Sequence, residues 1–110
     1  MKEVLNILPE QLRSRANILL QEENFTYAKE SYEEDNSSYK WVYYCGLEFK
    51  RIEEYKIAEY FFDETLKREP RVLFAITGKG ICEYQMNNFY NALKLYHKGG
   101  RSCDLSPARF

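Results

Sequence analysis

The chain has almost no net charge. Sixteen Lys and Arg stand against 17 Asp and Glu, leaving −1 at pH 7, so no global field draws it to nucleic acid or to a membrane surface. It has a single histidine, His97, with no His or Cys at metal-ligand spacing, which argues against a zinc site. Its three cysteines, Cys45, Cys82 and Cys103, are an odd number and form no C-x-x-C pair. No apolar run approaches the roughly 18 residues of a membrane span, and the opening does not read as a signal peptide. A reducing intracellular compartment, nuclear or cytoplasmic, is the expected location. A phosphate-cradling loop is also missing, because Gly78-Lys79-Gly80 lies inside a helical pattern without P-loop spacing. His97 and Cys103, beside Gly99-Gly100, are the sole nucleophile arrangement on offer, while Cys45 and Cys82 read as core. We therefore assign no catalytic residue, no metal and no cofactor.

What the chain does have is apolar and aromatic mass. Hydrophobic residues make up 45% and aromatics 16%, including ten Tyr, enough for one packed domain over residues 1–110. Tyr suits helices that lie half in contact and half in water. No strand pattern competes, and the expected fold class is all-α.

In order, Met1–Leu8 is a short lead with Val4, Leu5, Ile7 and Leu8 as its apolar face, and Pro9 is expected at the first position of a helix. Leu12, Ala16, Leu19 and Leu20 then form a helical stripe to about Glu22. Asn24 is a candidate cap for a second helix carrying Phe25, Ala28 and Tyr32. Residues 33–38 are an acidic and polar turn, with a Ser available as N-cap.

From Tyr39 onward the same pattern is written twice. Val42 matches Ile76, Gly46 matches Gly80, Tyr55 matches Phe89, Ala58 matches Ala92, and Phe62 matches Tyr96. The interval is the same in every pair, about 34 residues. The spacing predicts helices over Lys40–Ile52, Glu54–Arg68, Arg71–Met86 and Phe89–Lys98. Glu69-Pro70 closes the second of these, since the residue before proline leaves the α region. Gly46, Ala58, Phe62, Gly80, Ala92 and Tyr96 are the expected helix contacts, because helices approach closely only where side chains are small.

This pattern resembles the tetratricopeptide family, whose helix-turn-helix unit repeats about every 34 residues. The resemblance implies a solenoid of about three repeats: a degenerate one over residues 9–38, then 39–72 and 73–106, with 107–110 beginning a further helix behind Ser106. Glu83 departs from the pattern where an aromatic is usual, and Tyr84 is expected to supply the lost packing. The resemblance also implies a non-catalytic protein-interaction scaffold whose first helices line a concave face. On it would lie Arg13, Asn17, Lys40, Tyr43, Leu47, Lys50, Phe74, Thr77, Ile81 and Tyr84, suited to an extended or helical partner segment. Packing of Tyr43, Leu47, Phe74 and Ile81 within their own array stays open. Arg13 and Asn17 imitate part of the carboxylate clamp of chaperone-tail binders, but Tyr44, Phe74 and Gly78 stand where its other members belong, so that activity is not expected.

The stretch from Ala75 to Phe110, with Asn87-Asn88, Ala92-Leu93 and Ser106-Pro107-Ala108-Arg109, resembles more narrowly the tetratricopeptide scaffold subunits of complexes that travel with elongating RNA polymerase II. Subunits of a cell-cycle ubiquitin ligase are the alternative. Lys94, His97, Lys98 and Arg101, interleaved with Tyr96, form a basic face that a nucleic-acid-contacting adaptor could use, although a solvated face accounts for them equally. Without a polar capping helix, Leu93, Tyr96 and Leu105 are expected to leave an apolar end that a protein partner covers or that drives self-association.

Overall fold

Local sequence decides where each helix of this chain stops. The computed structural model describes residues 2–99, which form a short 3-10 helix, Lys2–Ile7, followed by α1 Glu10–Glu22, α2 Thr26–Glu34, α3 Lys40–Arg51, α4 Tyr55–Arg68, α5 Leu73–Gln85 and α6 Phe89–Gly99. No strand occurs among the described residues. The expectations for Arg101, Cys103, Leu105 and residues 106–110 lie outside them.

Three caps differ from expectation. Pro9 sits one position before α1, in extended backbone, where its missing N–H costs nothing. Phe25, not Asn24, holds the N-cap position of α2, while Asn24 accepts a hydrogen bond from the Thr26 hydroxyl. α3 is not capped by a serine either: Tyr39 holds its N-cap position, and Ser38, one residue earlier, accepts from the Lys40 N–H through Oγ at 3.1 Å. The polar turn before α3 is pinned from behind. Trp41, buried, donates its ring N–H to the Asn36 carbonyl at 2.8 Å. The Arg68 guanidinium lies 5.0 Å over that ring and donates to the carbonyls of Asn36 and Ser38.

Two interhelical turns share one backbone geometry. α3 turns into α4 through Glu53 at φ 66°, and α5 turns into α6 through Asn87 at φ 67°, one repeat length further along. In the first turn the Ile52 N–H bonds Glu48 O at 3.2 Å and the Glu54 N–H bonds Phe49 O at 2.8 Å; in the second, Met86 to Cys82 and Asn88 to Glu83 measure 3.0 and 2.8 Å. This is the pattern of a Schellman stop, which wants Gly or Asn at its left-handed residue. Asn87 meets that demand and Glu53 does not. Glu53→Gly is therefore expected to stabilise the protein by about 0.5–1 kcal/mol by removing left-handed strain, raising the thermal midpoint by a few degrees. An unchanged or lower midpoint would show the turn to be unstrained.

Backbones approach closely between α2 and α3, α3 and α4, α4 and α5, and α5 and α6, and across the array between α3 and α5. One continuous core runs between them, built on Trp41, Val42, Phe49, Ile57, Phe61 and Phe62. The amino-terminal part attaches differently. α1 approaches the 3-10 helix, which in turn approaches α4; Leu8, Ala16 and Leu20 enter the core, and Arg15 pairs with Glu54 at the start of α4.

Candidate interaction surfaces

Small residues on α3 and α5 set how closely the helices meet. Phe62, from α4, is fully buried, and its ring fills the space that side chains on two glycines would need. A Cβ placed on Gly46 would meet the ring at 2.8 Å, and one on Gly78 at 2.7 Å. Phe62 is thus held between α3 and α5. The second repeat copies half of this arrangement: a Cβ on Gly80 would meet Tyr96 at 3.0 Å. Ala58 and Ala92 are buried on α4 and α6. Sequence reasoning picked out Gly80 and passed over Gly78 as a contact, because the counterpart of Gly78 in the preceding repeat is Tyr44.

The expected concave face divides into three parts. On α5, Phe74 is 74% exposed and Tyr84 is 52% exposed, with Thr77 and Ile81 half-exposed between them. On α3, Lys40 is exposed, whereas Tyr43, Leu47 and Lys50 are half-buried. Tyr43 lies against Phe62 with ring centroids 6.1 Å apart, and both Tyr43 and Leu47 pack on the core. These two faces are joined, since α3 and α5 approach closely. Arg13 and Asn17 sit apart on α1, which has no such approach to either helix, and the Arg13 guanidinium is turned back to the Leu8 carbonyl at 2.9 Å.

A neighbouring groove of about 890 Å³ opens between α2 and α3, with Tyr27, Tyr44, Leu47 and Arg51 in its lining. Tyr27 is 73% exposed and stands against Tyr44 at 6.0 Å. Sequence reasoning gave Tyr27 no role, although a Tyr beside the buried Ala28, on the outer side of a short helix, was a readable signal.

Glu83 turns out to be the structural partner of Glu59. Both are buried, their carboxyl groups are hydrogen-bonded across α4 and α5, and Asn91 on α6 donates to Glu83 Oε1 at 3.1 Å. Beside them Lys79 pairs with Asp63 at 2.7 Å. Burial, then the hydrogen bond and charge of Glu83, push the Glu59 carboxyl up to about 8. Glu83 is held below its usual value, first by that same hydrogen bond. Two carboxyls in contact share one proton between them, and the opposed shifts favour the neutral form on the Glu59 side. Burial works against the Lys79 charge, but Asp63, Glu59 and Glu83 together hold it above its ordinary value. Tyr84 does not take the inward place of Glu83: it points out and packs on Phe89 at 5.1 Å.

The thiols of Cys45 and Cys82 are free and buried. Burial pushes Cys82 up to about 12 and Cys45 further still, so neither supplies a thiolate. A Cys103→Ser variant is expected to react with a chromogenic disulfide reagent only as fast as it unfolds; rapid labelling of the native variant would place one of the two thiols at the surface.

Among the described residues no group of three or more His, Cys, Asp or Glu could hold a metal ion, and no helix is long and apolar enough to cross a membrane. No family model, curated protein or solved structure matches the chain.

Proposed function

We propose that the chain is a non-catalytic protein-interaction module of the tetratricopeptide kind, with repeats over residues 39–72 and 73–106 and a degenerate first pair over residues 9–38, whose α1 is attached through the 3-10 helix. The recurrence, at one repeat length, of the Glu53 and Asn87 turns and of the Gly46–Phe62 and Gly80–Tyr96 contacts supports that reading. The observation that carries the binding role is the strip Phe74, Thr77, Ile81 and Tyr84 on α5. It leaves large aromatic surface in water beside Tyr43 and Leu47 of α3. An aromatic strip of this kind, with Lys40 and Lys50 at its edge, fits an extended or helical segment that brings apolar anchors and an acidic flank.

Within that reading, the resemblance of residues 75–110 to elongation-complex scaffolds makes a subunit of an assembly travelling with RNA polymerase II the leading context. A photo-crosslinking phenylalanine analogue placed at Phe74 in the source cell tests both levels. Capture of one partner, lost with Ile81→Glu while helicity is retained, is the expected result. Equal capture from a control position at Lys67 would remove the groove as a binding site. Elongation factors or ubiquitin-ligase subunits among the captured proteins would decide the context.

A further inference from the structure

The groove between α2 and α3 offers a ligand different chemistry from the α5 strip. Tyr27 and Tyr44 stand against each other in it, ring centroids 6.0 Å apart and planes inclined by 40°. Rings set this way make a wedge-shaped notch, and Leu47 adds an aliphatic wall. Tyr27 lies mostly in water. Neither tyrosine hydroxyl has a hydrogen-bond partner among the described residues, so the groove holds two free donors beside two aromatic faces.

The rim carries a charge of one sign. Arg51 is already engaged, with its guanidinium paired to Glu23 and Glu48. Glu30, one turn along α2 from Tyr27, lines the groove, is exposed and makes no ion pair among the described residues. Three carboxylates thus face one guanidinium, and the rim is net negative. Lys29 does not offset it, because residues two apart on a helix point to different sides.

Each of these features narrows the occupant. A net negative rim disfavours nucleic acid and acidic peptides. Among the described residues there is no strand edge on which an extended segment could pair. A helical ligand bonds its backbone carbonyls internally and leaves the two hydroxyl donors without backbone acceptors. A polyproline II segment has no internal hydrogen bonds, so its carbonyls are free to accept, and its prolines dock in aromatic-lined grooves. A basic side chain next to the prolines would meet Glu30.

From this we infer that the α2–α3 groove binds a proline-rich segment of another protein in the polyproline II conformation, with prolines against Tyr27 and Tyr44 and a Lys or Arg beside Glu30. The ligand is distinct from that of the α5 strip, where Lys40 and Lys50 call for an acidic flank, so the groove stands independently of that reading. Leu47 borders both surfaces, and Tyr27 and Glu30 belong to the groove alone.

A short fluorescent oligoproline ending in two arginines is the probe. Fluorescence anisotropy with the full chain is expected to show saturable binding, about tenfold weaker when the prolines are replaced by glycine. Tyr27→Ala in the protein should weaken binding about tenfold, and Tyr27→Phe, which removes only the donor, about threefold. Glu30→Lys should reverse the preference between this peptide and one ending in two glutamates. Both positions are exposed, so circular dichroism should find the helicity of every variant unchanged. Absence of saturable binding to the folded chain overturns the assignment, as does equal binding of the glycine peptide or indifference to either Tyr27→Ala or Glu30→Lys. Sedimentation that reveals a dimer broken by Tyr27→Ala would assign the groove to a second copy instead and overturn it too, as would peptide binding that appears only once residues 100–110 are removed. Crosslinking at Phe74 is unaffected by any of these results, so the two readings fail separately.

Discussion

Phe62→Ala is expected to destabilise the protein by about 3–5 kcal/mol, enough to leave a domain of ordinary stability, about 5–15 kcal/mol, close to unfolding. The ring is fully buried and fills the space between α3 and α5, so its removal empties a site that three helices would have to move to close. The sharper test is a pair of milder changes. Gly78→Ala in a helix interior should by itself stabilise by roughly 1 kcal/mol. Here the new methyl would stand 2.7 Å from the ring, which cannot retreat because its other side faces Gly46. Overpacking costs about 1–3 kcal/mol, so a net loss is expected. In a Phe62→Leu background the methyl has room, and the same Gly78→Ala change should turn neutral or stabilising. Urea unfolding of the four proteins gives the coupling directly; additive effects would mean that Phe62 and Gly78 do not meet.

Stability should fall as pH rises from about 5 to 9, a dependence set by Glu59. Its folded value, about 8, lies above the ordinary 4.5, so the neutral form is favoured in the native state. That stabilisation is fully present below 4.5 and is lost as pH climbs through about 8, with a slope of up to about 1.4 kcal/mol per pH unit. Glu83 works in the opposite sense. Its value is lowered, so its contribution is present above the ordinary carboxylate range and fades in acid. The two together place the optimum in mildly acidic solution. Glu59→Gln substitutes an amide N–H for the shared proton and can still donate to Glu83. Thermal melts are expected to show the variant near wild type at pH 5, more stable than wild type at pH 9, and nearly flat between. Parallel profiles for the two proteins would show that Glu59 does not carry the proton.

The all-helical architecture was readable because the apolar positions keep helical spacing through the chain and because Pro70 and Asn87-Asn88 mark where α4 and α5 end. The observed limits of α3, α4 and α6 differ from the expected ones by a residue at most. Less legible was anything that depends on which helix lies across from which. Gly78 looks like a second copy of Gly80, and its closeness to Phe62 appears only when α5 is laid on α4. Glu83 read as a lost aromatic, since no pattern in the chain announces that Glu59, on the preceding helix, will face it. The residues expected on one face are not all placed together. The spacing of Phe74, Thr77, Ile81 and Tyr84 on one side of α5 follows from helical geometry alone. Placing Arg13 and Asn17 beside them assumed that α1 pairs as α3 and α5 do, and its attachment through the 3-10 helix breaks that assumption.

The position of the Phe62 ring also bears on how the molecule comes apart. Arrays of stacked helix pairs are held by neighbours alone, and each added pair behaves as a link in a one-dimensional chain whose cooperativity depends on the strength of the links. A side chain that belongs to α4 but is enclosed by α3 and α5 ties two links together, so α3, α4 and α5 should melt in a single transition. α6 has no equivalent tie, since Tyr96 meets Gly80 on one side only among the described residues. Amide exchange should therefore be graded, fastest along α6 and slowest where the ring sits.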